Sequence, residues 1–245
     1  MPVFLRNSNL HSTRERGASL IESVLCLISL VLAGLAVFEI TQWHTTRHLA
    51  RLAVHAAGRE GAITQANPQA IRFAVDGILS PGATATKQHT AVHGSQFAST
   101  PSGKNQWSDI AHSARKLAIA GMRSWHLEIL SPTTTMFSDF SDELLSRAGH
   151  RPTIRNDFLA EQHADNQARG WANGLGPVSG KDIFQANTLR LRLTVLYAPL
   201  VPGIGVIVRM MPPTGDLRAD HAYRSGMLPI VIEADTAMHS HPMIW

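Results

Sequence analysis

Residues 23–38 read SVLCLISLVLAGLAVF, sixteen consecutive residues without a charge. The uncharged residues 18–21 (ASLI) precede this run and Ile40 follows it, so that Glu22 and Glu39 are the only charged residues in a largely apolar stretch of more than twenty positions. A membrane-spanning helix needs about 20 apolar residues, whereas the apolar core of a cleaved signal peptide has roughly 7–15. The stretch therefore predicts a transmembrane helix over residues 18–40.

The helix is expected to continue beyond the membrane, because no proline occurs between Pro2 and Pro68. At 1.5 Å per residue, a helix over residues 18–57 is about 60 Å long, twice the hydrocarbon thickness of roughly 30 Å. Basic side chains recur on one face of its second half and small apolar ones on the opposite face. The basic set is His44, Arg47, His48, Arg51, His55 and Arg59, and the apolar set is Leu49, Ala50, Ala53, Ala56 and Ala57. We therefore predict an amphipathic extension over residues 41–61 whose small-residue face packs on a folded domain.

The remaining residues, 62–245, show mixed helix and strand patterns. Helices are predicted at 69–79, 108–122, 139–148 and 157–168, a loop at 80–106 and a flexible linker at 170–180. Apolar alternation or apolar runs predict strands at 125–130, 189–197, 204–210 and 228–234. The expected fold class is α+β, a long N-terminal helix followed by an extracytoplasmic domain with a small antiparallel sheet. We expect the apolar face of that sheet to cover the Ala-rich face of the helix, because neither surface is stable in water.

Composition excludes several functional classes. Charged residues make up 16% of the chain, and the net charge of +4 is spread without a Lys/Arg-rich cluster, so we predict no nucleic-acid binding. Cys26 is the only cysteine, which excludes an intramolecular disulfide and a Cys-based metal or redox site. The sequence has no G-x-S-x-G elbow, no P-loop and no complete dinucleotide loop. We therefore predict no enzyme activity and no cofactor.

Thirteen histidines raise the question of a metal site. His239 and His241 form an H-x-H pair after a predicted strand, with Glu233 and Asp235 as the nearest acidic residues. No H-E-x-x-H motif accompanies the pair, and we interpret it as incidental. We therefore predict that the protein has no metal site. If metal were bound to the purified protein, the alternative of a periplasmic metal-dependent enzyme would be favoured.

A short basic leader over residues 1–17 precedes the span and ends in RERG at residues 14–17, with Glu22 five residues past the glycine. A carboxylate inside a membrane helix is costly unless it lies near the interface or has a partner. The arrangement of Arg16, Gly17, Ala18 and Glu22 resembles the prepilin peptidase site of type IV pilins and their relatives. The resemblance implies cleavage after Gly17 on the cytoplasmic side and pairing of Glu22 with the freed N-terminus of a neighbouring subunit.

The closer similarity is to the TadE-like pseudopilins of the tight-adherence (Flp) pilus system. It rests on residues 16–18 (RGA), Glu22, Glu39 and residues 56–62 (AAGREGA), with a weaker likeness in residues 197–202 (YAPLVP). Ser23 stands where that family usually has an aromatic residue, and the preceding SLIE is closer to general secretion pseudopilins.

This resemblance implies a minor pseudopilin that helps to assemble or prime a Flp-type pilus, or a pseudopilus of a related secretion system. Its implied partners are the prepilin peptidase, other pilins or pseudopilins, the inner-membrane assembly platform and the lipid bilayer. The alternative is a single-pass membrane-anchored periplasmic binding or scaffold protein whose leader is not cleaved.

Small residues within the span, Ala33, Gly34 and Ala36, would permit the close approach of a second helix. Glu39 either marks the outer interface or contacts a partner helix. Basic residues are balanced on the two sides of the span, so charge alone does not decide its orientation. The leader requires a cytoplasmic N-terminus and a periplasmic C-terminal domain, which predicts a bacterial inner-membrane location.

Overall fold

The computed structural model describes residues 12–79, 124–201 and 203–245, with side chains from residue 20 onward. The chain divides into two compact units, Met1–His44 and Thr45–Trp245. Residues 1–11 of the leader, the predicted loop at 80–106 and the predicted helix at 108–122 lie outside the described residues.

The first helix, α1, spans Ser12–Ile63 and has 52 residues. It confirms the long N-terminal helix and continues to Ile63, two residues beyond the predicted extension over residues 41–61. The chain then turns through Gln65 and Ala66, both at φ 60°, and the Ala66 N–H donates to the Gly61 carbonyl at 2.9 Å. Helix α2, Pro68–Leu79, begins with a proline at its first position, where a missing N–H costs nothing.

Three strands form an antiparallel sheet in the order β1-β2-β3. They span Trp125–Ser131, Thr188–Tyr197 and Leu228–Ala237, which confirms three of the four predicted strands. Alternation gives the sheet an inner face, with Leu191 and Leu193 fully buried, and a polar outer face that includes Arg190 and Arg192.

The small residues of α1 are buried within the C-terminal unit. Ala50, Ala53 and Ala57 have no exposed surface, and Arg51, His55 and Arg59 are exposed, as predicted. Val54, which was not among the predicted residues, is also fully buried, whereas the predicted Arg47, Leu49 and Ala56 are half-buried. Two glycines of α1 show how closely the helix approaches the sheet. A Cβ on Gly58 would overlap Oγ1 of Thr236 in β3, and one on Gly61 would lie 2.5 Å from Cδ2 of Leu189 in β2. The expected packing of helix on sheet is therefore confirmed.

Short helices fill the connection between β1 and β2. They are α3 (Thr134–Phe140), α4 (Glu143–Gly149), α5 (Leu159–Ala168), a 3-10 turn (Ala172–Gly174) and α6 (Ile183–Ala186). The prediction of one helix over 139–148 was wrong, because the chain is extended at Ser141 and Asp142 and the Asp142 carboxylate caps α4 by accepting the Leu145 N–H. A second small core holds these helices together and contains Met136, Phe137, Phe140, Ile154, Ile183 and Ala186.

Residues 170–180, predicted to be a flexible linker, are instead hydrogen-bonded to α3. The Asp139 carboxylate accepts the N–H groups of Val178 at 3.2 Å and Ser179 at 2.7 Å. Since a Cβ on Gly176 would overlap this carboxylate, the glycine allows the loop to approach it closely.

The connection between β2 and β3 contains α7 (Ile204–Arg209) and α8 (Leu217–Arg224). The predicted strand at 204–210 was therefore wrong. A short apolar run carries no period that separates a strand from a helix, and here Gly203 at φ 98° turns the chain so that its carbonyl accepts the Ile207 N–H. A small cluster of Ala198, Ala222 and Met227 lies in this connection.

The residues after β3 return to the end of α1. The Ala62 carbonyl accepts the Ser240 hydroxyl at 2.7 Å and the His239 and Ser240 N–H groups at 3.1 and 3.0 Å. The Gln65 carbonyl accepts the Met243 N–H at 3.2 Å and the Trp245 indole N–H at 2.9 Å. The last turn of α1 is thus tied to residues 238–245.

Candidate functional site

Within the described residues, one helix is long and apolar enough to cross a membrane by length and composition. It is the Leu20–Ile63 part of α1, whose most apolar window has a mean hydropathy of 2.5 and no buried residues. Large apolar side chains are exposed on all sides of its first half. They include Leu20, Ile21, Leu25, Leu27, Ile28, Leu30, Val31, Leu32, Val37, Phe38 and Ile40. A helix that is apolar all round is typical of an apolar environment, so this segment could span a membrane.

Two hydroxyl side chains of this apolar segment, Ser29 and Thr41, are hydrogen-bonded within the helix. The Ser29 hydroxyl donates to the Leu25 carbonyl at 2.9 Å, and the Thr41 hydroxyl donates to the Val37 carbonyl at 2.8 Å. An unsatisfied donor in hydrocarbon costs several kcal/mol, so this local pairing makes both residues compatible with a bilayer.

The predicted processing residues lie inside α1. Arg16, Gly17 and Ala18 have helical backbone, and the helix begins five residues before Gly17, at Ser12, instead of after the leader. The Glu22 side chain is exposed and lies among exposed apolar residues. Five residues of helix separate Gly17 from Glu22 by about 7.5 Å along the axis. Cleavage after Gly17 stays a prediction.

The predicted packing residues separate into two groups. Ala33, Gly34 and Ala36 are exposed, and a Cβ on Gly34 would meet no atom within 4 Å. Glu39 is only 7% exposed and makes a polar interaction of its own. The three small residues thus leave room for another helix, whereas Glu39 is already covered. Contact of these residues with a partner helix stays a prediction.

The His239 and His241 pair has structural roles. The His239 N–H contacts the end of α1, and His241 accepts the Asn156 N–H through Nδ1 at 3.0 Å. No group of three or more His, Cys, Asp or Glu side chains placed to hold a metal occurs in the part of the chain that the structure describes. Glu233 and Asp235, the acidic residues considered with this pair, face arginines on the sheet instead.

The outer face of the sheet carries a ladder of ion pairs. Arg192 lies 2.7 Å from Glu233, and Arg190 lies 3.2 Å from both Glu233 and Asp235. The hydrogen bond from Arg192, helped by its charge, lowers the pKa of Glu233, and the same hydrogen bond raises the pKa of Arg192. Because both groups are exposed, the pairs add little to stability.

A groove that the sequence did not reveal lies between α8 and the outer face of β1 and β2. It has a volume of about 440 Å³. Its walls come from residues 125–126, 194–196 and 217–221, which are far apart in the chain. None of the three segments has a motif, so local patterns gave no signal of this groove.

No family model, no curated protein and no solved structure matches this chain.

Proposed function

We propose that the protein is a TadE-like minor pseudopilin, an inner-membrane subunit that helps to assemble or prime a Flp-type pilus. The observation that carries the proposal is the order Arg16-Gly17-Ala18 followed by Glu22 at the start of an apolar helix whose side chains are exposed. In this role the protein works by binding, through helix contacts in the membrane and through its C-terminal unit outside it.

The exposed carboxylate of Glu22 supports the proposal. A charged residue within a membrane helix costs up to about 3 kcal/mol at the bilayer centre and less near the interface. Cleavage after Gly17 would create an N-terminal ammonium group, and the corresponding group of a neighbouring subunit would neutralise this carboxylate. The pairing gives a physical reason for a carboxylate in an otherwise uncharged segment.

The second half of α1 also supports an assembly role. Residues 50–62 pack on the inner face of the sheet, so this part of α1 belongs to the folded C-terminal unit. An exposed apolar segment and a core element of the folded unit are thus parts of one continuous helix, as is expected of a pilin-type subunit.

The decisive experiment identifies the N-terminal residue of the mature protein by mass spectrometry, after the protein has been expressed together with the prepilin peptidase. We expect Ala18 to be first. Gly17→Leu should leave the leader attached, because a side chain at the cleavage position obstructs the peptidase. Gly34→Leu is the matched control, since its environment is open and it should be processed normally.

A mature protein that still begins at Met1 or Pro2 would contradict the proposal and favour the membrane-anchored scaffold. A second variant tests assembly apart from cleavage. Glu22→Gln should be processed normally but should lose crosslinking between neighbouring subunits, whereas Glu161→Gln, an exposed carboxylate on α5, should retain it. If the two variants crosslinked equally well, the proposed pairing of Glu22 with the N-terminus of a neighbouring subunit would be wrong.

A further inference from the structure

Helix α7 exposes apolar side chains on its outer side. Val208, which is 2% exposed, packs the helix against the C-terminal unit. Four other residues, on α7 and just after it, are 44–77% exposed, and we call them the apolar patch: Val206, Ile207, Met210 and Met211. A surface helix in water normally carries polar residues on its outer side, so the patch indicates contact with an apolar partner.

The only charge near the patch in the sequence is positive. Residues 198–215 contain one charged side chain, Arg209, which is exposed and lies between Ile207 and Met210 in the chain. The stem of such an arginine lies along apolar surface while its guanidinium reaches the phosphate groups of lipids. Apolar side chains beside one cation therefore match a phospholipid surface, where phosphates cover acyl chains.

The patch belongs to a fixed part of the C-terminal unit. A Cβ on Gly226 (φ 74°) would lie 3.0 Å from the Gly205 carbonyl oxygen, so the backbone of α7 lies directly against the residues that precede β3. Helix α7 also contacts α8. The apolar side chains are thus held at the surface by backbone packing.

Helix α7 lies at one end of the sheet. Strand β2 ends at Tyr197, which pairs with Leu228 at the start of β3, and α7 is in the connection between them. The opposite end is marked by the pairing of Ser131 with Arg190, and it carries the connection that contains α4. We call these two ends of the sheet the α7 end and the α4 end.

The last turns of α1 lie at the α4 end. A Cβ on Gly61 would lie 2.5 Å from Cδ2 of Leu189, at the start of β2. One on Gly58 would overlap Thr236, which pairs with Leu189. Fully buried side chains recur over residues 50–57, so the preceding turns of α1 also pack within the C-terminal unit.

Helix α2 returns from the α4 end to the α7 end. Ile71 lies beside the end of α1, because a Cβ on Gly61 would be 2.9 Å from its Cδ1. Further along α2, the Asp76 carboxylate accepts the indole N–H of Trp125, which lies opposite the last residues of β2. Since a turn of four residues joins α1 to α2, the two helices are antiparallel. The second part of α1 therefore runs from the α7 end to the α4 end.

The chain thus enters the C-terminal unit, which begins at Thr45, on the side of the α7 end. The apolar part of α1 ends at Ile40, five residues earlier. Five residues of chain span at most about 18 Å in any conformation. When the apolar part of α1 crosses a bilayer, the bilayer surface is therefore within this distance of Thr45.

We propose that the apolar patch inserts into the surface of the phospholipid bilayer that α1 crosses, with Arg209 at the lipid phosphates. The C-terminal unit then has two membrane contacts, the span and the patch, and the second contact holds one end of the sheet at the bilayer. The inference rests on the membrane span of the proposed function and does not depend on cleavage after Gly17.

The test measures lipid contact at a single labelled cysteine. The full-length protein is placed in nanodiscs of phosphatidylcholine with a minor fraction of phosphatidylglycerol. Some lipids carry a nitroxide quencher on one acyl chain, near the head group in one sample and near the chain centre in another. In a Cys26→Ala background, Ile207→Cys carries a nitrobenzoxadiazole label. We expect the shallow quencher to remove at least about half of its fluorescence, because an interfacial helix is buried about 5–10 Å deep.

Two further labelling positions are the controls. A label on Cys26 itself, within the apolar part of α1, should be quenched more strongly by the deep nitroxide than by the shallow one. A label on Leu144→Cys should be quenched by neither, because this residue is 71% exposed on α4, at the other end of the sheet.

A charge in the patch should abolish the contact. Met210→Cys carries the label, and Ile207→Glu is added three residues away on the same helical face. The quenching should fall to the level of the residue 144 label, because a carboxylate is costly in the bilayer. Leu144→Glu, the matched control, should leave the quenching at residue 210 unchanged.

The proposal is overturned if the labels at residues 207 and 144 are quenched alike, or if Ile207→Glu leaves the quenching at residue 210 unchanged. It is also overturned if the Cys26 label is not quenched, since α1 then does not cross the bilayer. The state of the leader is measured separately by mass spectrometry, and an uncleaved leader would leave the expected quenching unchanged. Failure of this inference and failure of cleavage can therefore be distinguished.

Discussion

The two parts of α1 use apolar residues in opposite ways. Over residues 20–40 the side chains are large and nearly all exposed, whereas over residues 50–62 the fully buried side chains are mostly alanine. In a protein surrounded by water the large side chains would be the buried ones. The difference shows that hydropathy alone does not identify the core. The large exposed side chains of the first part suit a lipid environment. The second part has small buried side chains because the sheet lies close to the helix there.

A buried charge gives the largest expected effect. Ala53→Asp places a carboxylate against the inner face of the sheet and should lower the free energy of unfolding by about 3–5 kcal/mol, because the charge has no partner there. Urea unfolding followed by tryptophan fluorescence measures the change. Leu52→Asp is the control, because the neighbouring residue is 61% exposed and should be nearly neutral. If both variants lost the same free energy of unfolding, residue 53 would not be more buried than residue 52, and the assignment of the packed face of α1 would be wrong.

A charge in the first part should instead affect insertion. Leu30→Arg should raise the free energy of membrane integration by about 2.5–3.5 kcal/mol if residue 30 lies near the bilayer centre. The integrated fraction after synthesis in the presence of membranes measures this. Leu52→Arg should integrate as the unmodified chain does. If both variants integrate alike, the span does not include residue 30.

Side-chain size should matter in only one part of the helix. Gly61→Ala places a Cβ 2.5 Å from Leu189 and 2.9 Å from Ile71, so it should destabilise the C-terminal unit by about 1–3 kcal/mol. Gly34→Ala meets no atom within 4 Å and should leave the unfolding midpoint unchanged. Thermal unfolding of the two variants measures the contrast, and a destabilised Gly34→Ala would contradict it.

Acid should have the smallest effect on the stability of the C-terminal unit. Because its pKa is lowered in the folded state, Glu233 stabilises the fold above its ordinary pKa of 4.5 and loses this contribution as the pH falls through the lowered value. Unfolding midpoints at pH 3–7 should therefore decrease toward acid, and Glu233→Gln should flatten that decrease slightly. An identical acid profile for the variant would show that the Arg192 pair contributes nothing.

Sequence patterns predicted the parts of the fold in which apolar residues recur at the regular spacing of a strand or a helix. Alternation located β2, and the face that contains Ala50, Ala53 and Ala57 correctly predicted which side of α1 packs on the sheet. Both signals come from periods of 2 and 3.6 residues, which are visible locally.

Features fixed by distant contacts could not be predicted. The local sequence of residues 170–180 resembles a flexible linker. In the structure this segment is held by the Asp139 carboxylate, some forty residues earlier in the chain, which accepts the Val178 and Ser179 N–H groups. The strand expected at 204–210 was a helix, because the run is short and apolar or glycine at every position except Arg209, so it has no period that separates a strand from a helix. The groove brings together three distant segments, and no one of them contains enough information to indicate it.

The hydrogen bonds at the end of α1 have a mechanical consequence. A force that pulls on this helix from its N-terminal side reaches the carbonyl groups of Ala62 and Gln65, which are held by Ser240, Met243 and Trp245. Tension is thus shared between the helix and the final residues of the chain before it reaches the loops that connect the strands. A tag fused directly after Trp245 would disturb the hydrogen bonds between the last residues and the end of α1, whereas a tag placed elsewhere on the C-terminal unit would leave them intact.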